Sequence, residues 1–266
     1  MGYFGSSEFS GVKVGSNDVS KIYVGSNLAW EAGGAATDPD FANVTLLMHG
    51  DGTDGSTTFT DSSSQNLTMS YSGSAALTTS VKKFGTASFN FNTGSNAFVS
   101  YPSASGDELD IGLREEFTVE FWLYVDSFYG SSSNGSTYAI FEMVGGTDFC
   151  INLVSTSSGS GVAAIRATRN FSSTGAFNHQ DAVPTGQWVH VAMVRIGETE
   201  IRLFLDGVKS TSTAAWADSL NMSNWLGFGN RQTTSNQFYM DDVRVTKGVA
   251  RYTADFTPPT DPFPDS

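Results

Sequence analysis

Two glutamates flank a shared threonine in Glu116-Phe117-Thr118-Val119-Glu120, and this is the arrangement best suited to bond-breaking chemistry. On an extended strand, positions 116, 118 and 120 share one face, so both carboxyls point the same way. One would act as nucleophile or base and the other as acid in glycoside cleavage. Residues i and i+4 of a regular strand, however, sit about 13 Å apart. A retaining mechanism needs about 5–5.5 Å between the carboxyls, and an inverting one about 6.5–9.5 Å. Thr118 carries no charge to draw the pair together or to tune it. The favoured reading is therefore a set of solvated polar residues on the outer face of a half-buried strand.

A second candidate is the loop Asp51-Gly52-Thr53-Asp54-Gly55 with Asp61 beyond it. Three carboxylates and pliable backbone carbonyls supply the hard oxygen donors that suit a structural Ca2+. The loop lacks the glutamate at the twelfth position of helix-loop-helix calcium sites, and an aspartate-rich hairpin turn accounts for the same residues without a metal. The only histidines are His49, His179 and His190, and no Gly-x-Ser-x-Gly turn occurs, which argues against a serine hydrolase. Cys150 is the sole cysteine, so no internal disulfide exists; between Phe149 and Ile151 it reads as a buried, inert thiol.

These side chains are positioned by strands. Phe117, Val119, Phe121, Leu123 and Val125 fall on one face of the strongest strand, leaving Glu120, Trp122 and Tyr124 on the other. Further extended segments are Val44–Met48, Ala87–Phe91, Ala97–Tyr101, Ala139–Val144, Phe149–Val154, Val162–Thr168, Trp188–Ile196, Ile201–Leu205 and Tyr239–Thr246. Asp206-Gly207 marks a tight hairpin turn after Ile201–Leu205. Ten or more strands, 28 glycines and no long amphipathic helix predict an all-β chain, a two-sheet antiparallel sandwich. With 266 residues the chain is long enough to bury a core without disulfide or metal staples.

Residues 1–36 are read as a separate unit. Val14-Gly15-Ser16-Asn17 returns ten residues later as Val24-Gly25-Ser26-Asn27, each after a short alternating stretch. So small a β repeat has too little apolar mass to stand alone, so it is expected to dock on a partner. Gly33-Gly34-Ala35-Ala36 reads as a linker into a second domain, 37–266. The 14 basic and 27 acidic residues give a net charge of −13, which argues against a nucleic-acid partner. No apolar run approaches a membrane span, and Met1-Gly2-Tyr3-Phe4 does not resemble a secretory signal.

Five segments, in this order, resemble the concanavalin A-like, laminin G-like jelly roll found in bacteriophage virion proteins. They are Lys83-Phe84-Gly85-Thr86-Ala87-Ser88-Phe89, Glu116–Trp122, Gly186-Gln187-Trp188-Val189-His190-Val191-Ala192, Arg202-Leu203-Phe204-Leu205-Asp206-Gly207, and Asp241–Tyr252 closing in Phe256-Thr257-Pro258-Pro259. Lys21-Ile22-Tyr23-Val24-Gly25-Ser26 is similar to leaders of phage structural and tail proteins. The resemblance implies a jelly-roll sandwich on a virus particle, as head decoration, tail or fibre. It implies attachment to other virion proteins through residues 1–36, synthesis in the host cytoplasm, and a homo-oligomer, with a trimer expected.

Glycosidases of this fold carry Glu-x-Asp-x-Glu; here the centre is Thr118, so the resemblance implies a non-enzymatic protein. A dedicated carbohydrate receptor, and behind it a glycan hydrolase using Glu116 and Glu120, are the alternatives. Calcium sites in such sandwiches often join an early loop to a late aspartate, which adds Asp241 and Asp242 to Asp51, Asp54 and Asp61. Host-surface glycan is expected on the outer face of the central strand, at Glu120, Trp122 and Tyr124, with Trp225 and Arg231 as cover or rim. A buried Trp122 is the favoured reading within that surface, since sandwiches usually bury such aromatics.

Overall fold

The computed structural model describes residues 37–92, 96–102, 109–128, 137–144, 149–155, 163–169, 172–217, 225–230 and 236–266. Before them it describes the backbone of residues 12–14, 17–19, 21–24 and 27–31. Those N-terminal residues form two hairpins, with Val14 opposite Asn17 and Val24 opposite Asn27, one for each copy of the ten-residue repeat.

The remainder is an antiparallel sandwich. One nine-stranded sheet runs in the order Val208–Lys209, Glu200–Leu205, Trp188–Ile196, Phe117–Ser127, Gln237–Lys247, Ser88–Asn90, Ala76–Thr78. Val44–Met48 pairs with the far half of Gln237–Lys247, and Ala214–Ala215 with Glu200–Leu205. The seven-stranded sheet runs Ser172–Val183, Ala163–Arg169, Phe149–Ser155, Thr137–Val144, Trp225–Asn230, Ala97–Pro102, Ser70–Ser72. Among the described residues the only helix is one 3-10 turn, Phe41–Asn43. The core is the space between the sheets. Phe117, Phe121, Phe141, Phe149 and Phe228 are all essentially buried there, Phe121 stacked on Phe141 and Phe117 on Phe149.

Asp206 and Gly207, both at positive φ, make the expected tight turn. Two long elements were not legible as strands. Ser172–Val183 is mostly polar, and Trp225–Asn230 contains two glycines. Gly227 is there for space: a Cβ on it would lie 2.0 Å from the Trp225 ring, which folds back along its own strand.

The expected solvated face of Phe117–Ser127 is not solvated. The segment after Lys247, which holds Pro258, Pro259, Pro262 and Pro264, cannot extend the ladder and instead crosses the outside of the sheet. Gly248 N–H donates to the Glu116 carbonyl (2.8 Å), and Thr118 Oγ1 donates to the Val249 carbonyl (2.9 Å). Tyr252 and Phe256, stacked 3.6 Å apart, pack with Phe204, Ala192 and Val194. The chain end closes on the domain start: Asp38 N–H donates to the Ser266 carbonyl at 2.8 Å.

Candidate functional site

Beneath that C-terminal strap lies the first candidate, the glutamate pair. Glu120 is 0% exposed. Its Oε1 accepts from Arg244 Nη2 (2.7 Å) and Nε (2.9 Å); its Oε2 accepts from Tyr252 Oη (2.7 Å) and sits 3.2 Å from His190 Nε2. Arg244 and Arg251 both reach Asp38, at 3.0 and 2.7 Å. Burial by itself pushes the Glu120 carboxyl up. The charges of Arg244, His190 and Arg251 outweigh that and hold it down to about 2. Glu116 accepts from Gly197 N–H (2.8 Å) and Ala250 N–H (3.4 Å), so it staples the strap. Neither group is free to meet a substrate, and Thr118 is fully buried between them. The reading of a solvated face is corrected here. Alternation places these residues outside the core correctly, but a second layer of chain covers them.

Trp122 is 5% exposed. Its cover is not Trp225, one of the two residues expected as cover or rim. The Phe84 ring meets it edge-on at 5.8 Å, and the Lys83 ammonium lies 3.7 Å from its ring centre. Burial lowers the Lys83 pKa, with Asp206 and Asp241 opposing that shift. Trp225 sits on the opposite sheet, beside Phe98 at 5.8 Å, and Arg231 falls outside the described residues.

The five aspartates separate into three places. Asp61 is buried and accepts from the backbone N–H groups of Leu47 (2.9 Å), Ser63 (3.0 Å) and Leu67 (2.8 Å). Asp54 accepts from Thr79 N–H at 2.9 Å. Asp51, Asp241 and Asp242 do line one cavity of about 200 Å3, together with His49 and Asp265. A bulge sets Asp241 opposite Trp122 and Arg244 opposite Glu120, and Asp242, at positive φ within it, lets two successive aspartates leave by the outer face.

The Asp241 oxygens accept from the N–H groups of Gly50 (3.1 Å), Lys83 (3.0 Å), Phe84 (3.1 Å) and Asp242 (3.0 Å). Its pKa is raised to about 6 by burial, against the pull of those amides and with a push from Asp242. Gly50 must be glycine, since a Cβ would fall 2.8 Å from Asp241 Oδ1. Asp242 holds Phe263 N–H (2.8 Å) and pairs with His49 Nδ1, whose Nε2 is 2.8 Å from Asp265. Burial lowers His49, but Asp242 and Asp265 raise it to about 9, so it is an imidazolium at neutral pH. These residues do not fit Ca2+. Asp241 is taken up by four backbone N–H groups, Asp242 by Phe263 N–H and His49, and the cavity already holds that imidazolium cation. Among the described residues no group of three His, Cys, Asp or Glu side chains is arranged to hold a metal ion.

What stays open is one end of the same outer face. Tyr124 pairs in register with Trp188 on one neighbour and with Tyr239 on the other. The ring centres are 5.6 and 5.7 Å apart, and all three rings are half-buried. Asp126 follows Tyr124 on the same face and is exposed. The Tyr239 hydroxyl is raised by burial and by Asp126, with the Asn92 amide, hydrogen-bonded to it, acting the other way. The row holds only one residue expected from sequence, Tyr124. Trp188 and Tyr239 share its outward parity, but the strand order that aligns them is a tertiary fact.

A two-sheet antiparallel sandwich with a capped outer face defines the class as a lectin-like jelly roll. The family model described as the concanavalin A-like lectin/glucanases superfamily, of laminin G type, matches residues 93–251, more than half of the chain, and the chain belongs to that superfamily. No curated protein sequence matches it. Among solved structures, it is similar to the binding domain of Paraclostridial Mosquitocidal Protein 1, at 13% identity and TM-score 0.59, covering 80% of this chain and 50% of that one. The botulinum neurotoxin serotype G binding domain follows at 14% and 0.56, covering 79% and 49%. The serotype D ligand-binding domain in complex with N-acetylneuraminic acid gives 13% and 0.55, covering 80% and 49%. The chain thus spans about half the length of these structures, and the likeness concerns the fold.

Proposed function

We propose that this protein is a non-enzymatic bacteriophage virion component whose lectin-like sandwich displays a glycan-binding surface to the host. The observation that carries the reading is the contrast on one sheet face. Glu120 is sealed in an ion pair with Arg244 and Glu116 is tied to backbone N–H groups, whereas the Tyr124, Trp188 and Tyr239 rings stay open beside polar groups. Aromatic faces flanked by a few hydrogen-bonding groups are what a sugar site needs, and the ion-paired Glu120 suits it to hold the strap down. Residues 1–36, with their two small hairpins, are the attachment to other virion proteins and the trimer contact. The resemblance of Lys21–Ser26 to phage leaders supports this.

Two measurements test it. On a glycan array the protein should retain host-surface glycans and release no reducing ends from them; reducing-end release would turn the reading to a hydrolase. A chain lacking residues 1–34 should fold as a monomer and fail to enter particles. Normal incorporation of the truncated chain would remove the attachment role.

A further inference from the structure

We infer that the row Trp188–Tyr124–Tyr239 takes an uncharged pyranose chain and excludes sialylated or uronic-acid glycans. This rests on the glycan-binding reading above and narrows it to one surface and one ligand class. Three neighbouring strands each contribute one outward aromatic ring at the same level, so the rings form a line across the strands. The ring centres step by 5.6 and 5.7 Å, close to the spacing of successive sugar rings in an extended chain, and neighbouring rings meet edge-on at 62° and 73°, so the row offers faces and edges in alternation. Pyranoses with equatorial hydroxyls offer flat C–H faces to such rings, while their hydroxyls turn outward to a polar rim.

That rim selects by charge. Asp126 is exposed beside Tyr239 and acts on its hydroxyl, and the Asn92 amide holds the same hydroxyl in place. A carboxylate accepts hydrogen bonds from sugar hydroxyls but repels a second carboxylate, and the chain's net charge of −13 adds to that repulsion at long range. The ammonium of Lys83 lies further along the face, 3.7 Å from the Trp122 ring centre, with the charges of Asp206 and Asp241 acting on it.

The test is titration of the full chain with neutral hexamers (cellohexaose and the N-acetylglucosamine hexamer) and with acidic glycans (the trisaccharide sialyllactose and a mannuronate hexamer). The neutral chains should bind and the acidic ones should not. Trp188→Ala should weaken binding at least about tenfold, the size expected for losing one aromatic contact, with the melting temperature unchanged, and Trp188→Tyr should restore most of it. Asp126→Asn should admit acidic chains.

Binding of acidic chains in preference to neutral ones by the wild type overturns the inference while leaving glycan binding standing. Neutral binding that survives Trp188→Ala combined with Tyr239→Ala overturns the site. A concentration-dependent dimer lost in Trp188→Ala means a second copy covers the row, and overturns it too. Failure of every saccharide takes down the glycan-binding reading and this inference with it.

Discussion

Glu120 and Arg244 stand opposite each other on neighbouring strands, Oε1 2.7 Å from Nη2 and 2.9 Å from Nε, with both side chains buried. Each is also held by others, Glu120 by Tyr252 and His190, and Arg244 by Asp38 and by Phe263, whose ring centre lies 3.8 Å from the guanidinium carbon. This is the knot that ties the C-terminal strap to the sheet.

Glu120→Ala leaves the buried Arg244 guanidinium short of its closest partner, so it should cost about 3–5 kcal/mol in urea unfolding. The folded pKa of about 2 lies below the ordinary 4.5, so the contribution is complete above pH 4.5 and is lost as pH falls through 2. Wild-type stability should therefore drop across that window more steeply than that of Glu120→Gln. Equal slopes would remove the ion pair from the account of acid stability.

His49 works with the opposite sign. Its folded pKa is raised from 6.5 to about 9, so its contribution is full below pH 6.5 and vanishes as pH rises through 9. Wild type should lose stability between those values, and His49→Asn should be flat there. Hydrogen exchange at Phe263, whose N–H is held by Asp242, should rise in the same window, since the strap loses its clamp. A wild-type urea midpoint that stays level from pH 6.5 to 9 would sink the clamp.

Trp122 packs under Phe84 and Lys83, and its indole N–H finds no hydrogen-bond partner among the described residues. Trp122→Ala should cost about 3–5 kcal/mol by loss of packing, as for other buried aromatics. Trp122→Phe, which keeps a ring and drops an unused N–H, should cost about 1.5 kcal/mol or less. Glycan adsorption should be unchanged in the phenylalanine variant. A variant that folds normally yet fails to adsorb would make Trp122 a sugar contact instead.

Calcium should do nothing to stability. A ligand bound only by the folded state raises the melting temperature with its concentration, and the aspartate oxygens here are occupied by backbone donors. Calorimetry in calcium and in EDTA should superimpose. A fall of several degrees with chelator would restore the site.

Much of the fold was written locally. The alternation of Phe117 to Val125 specified a strand and its buried face, and Asp206-Gly207 specified its turn, because side-chain parity and backbone sterics act within a few residues. The ten-residue repeat at the N-terminus specified short strands that turn at each copy, closing with Val14 opposite Asn17 and Val24 opposite Asn27, although the second hairpin shifts register between Ile22 and Tyr23. Ser172–Val183 and Trp225–Asn230 escaped notice because their strand state depends on neighbours that accept polar or glycine-rich chain, and not on their own apolar periodicity.

The fate of the outer face was decided only in three dimensions. Alternation says that Glu116, Thr118, Glu120, Trp122 and Tyr124 point away from the core, and it is silent on what lies above them. A proline-rich tail more than a hundred residues later covers the first three, Phe84 and Lys83 cover Trp122, and Tyr124 is left half-open beside Trp188 and Tyr239. Burial of a charge, the pKa it takes and the partners it finds all depend on groups distant in sequence. For that reason the sequence determined the sandwich and its two faces, and the tertiary structure alone decided which outward residues became a sealed ion-pair layer and which became a surface.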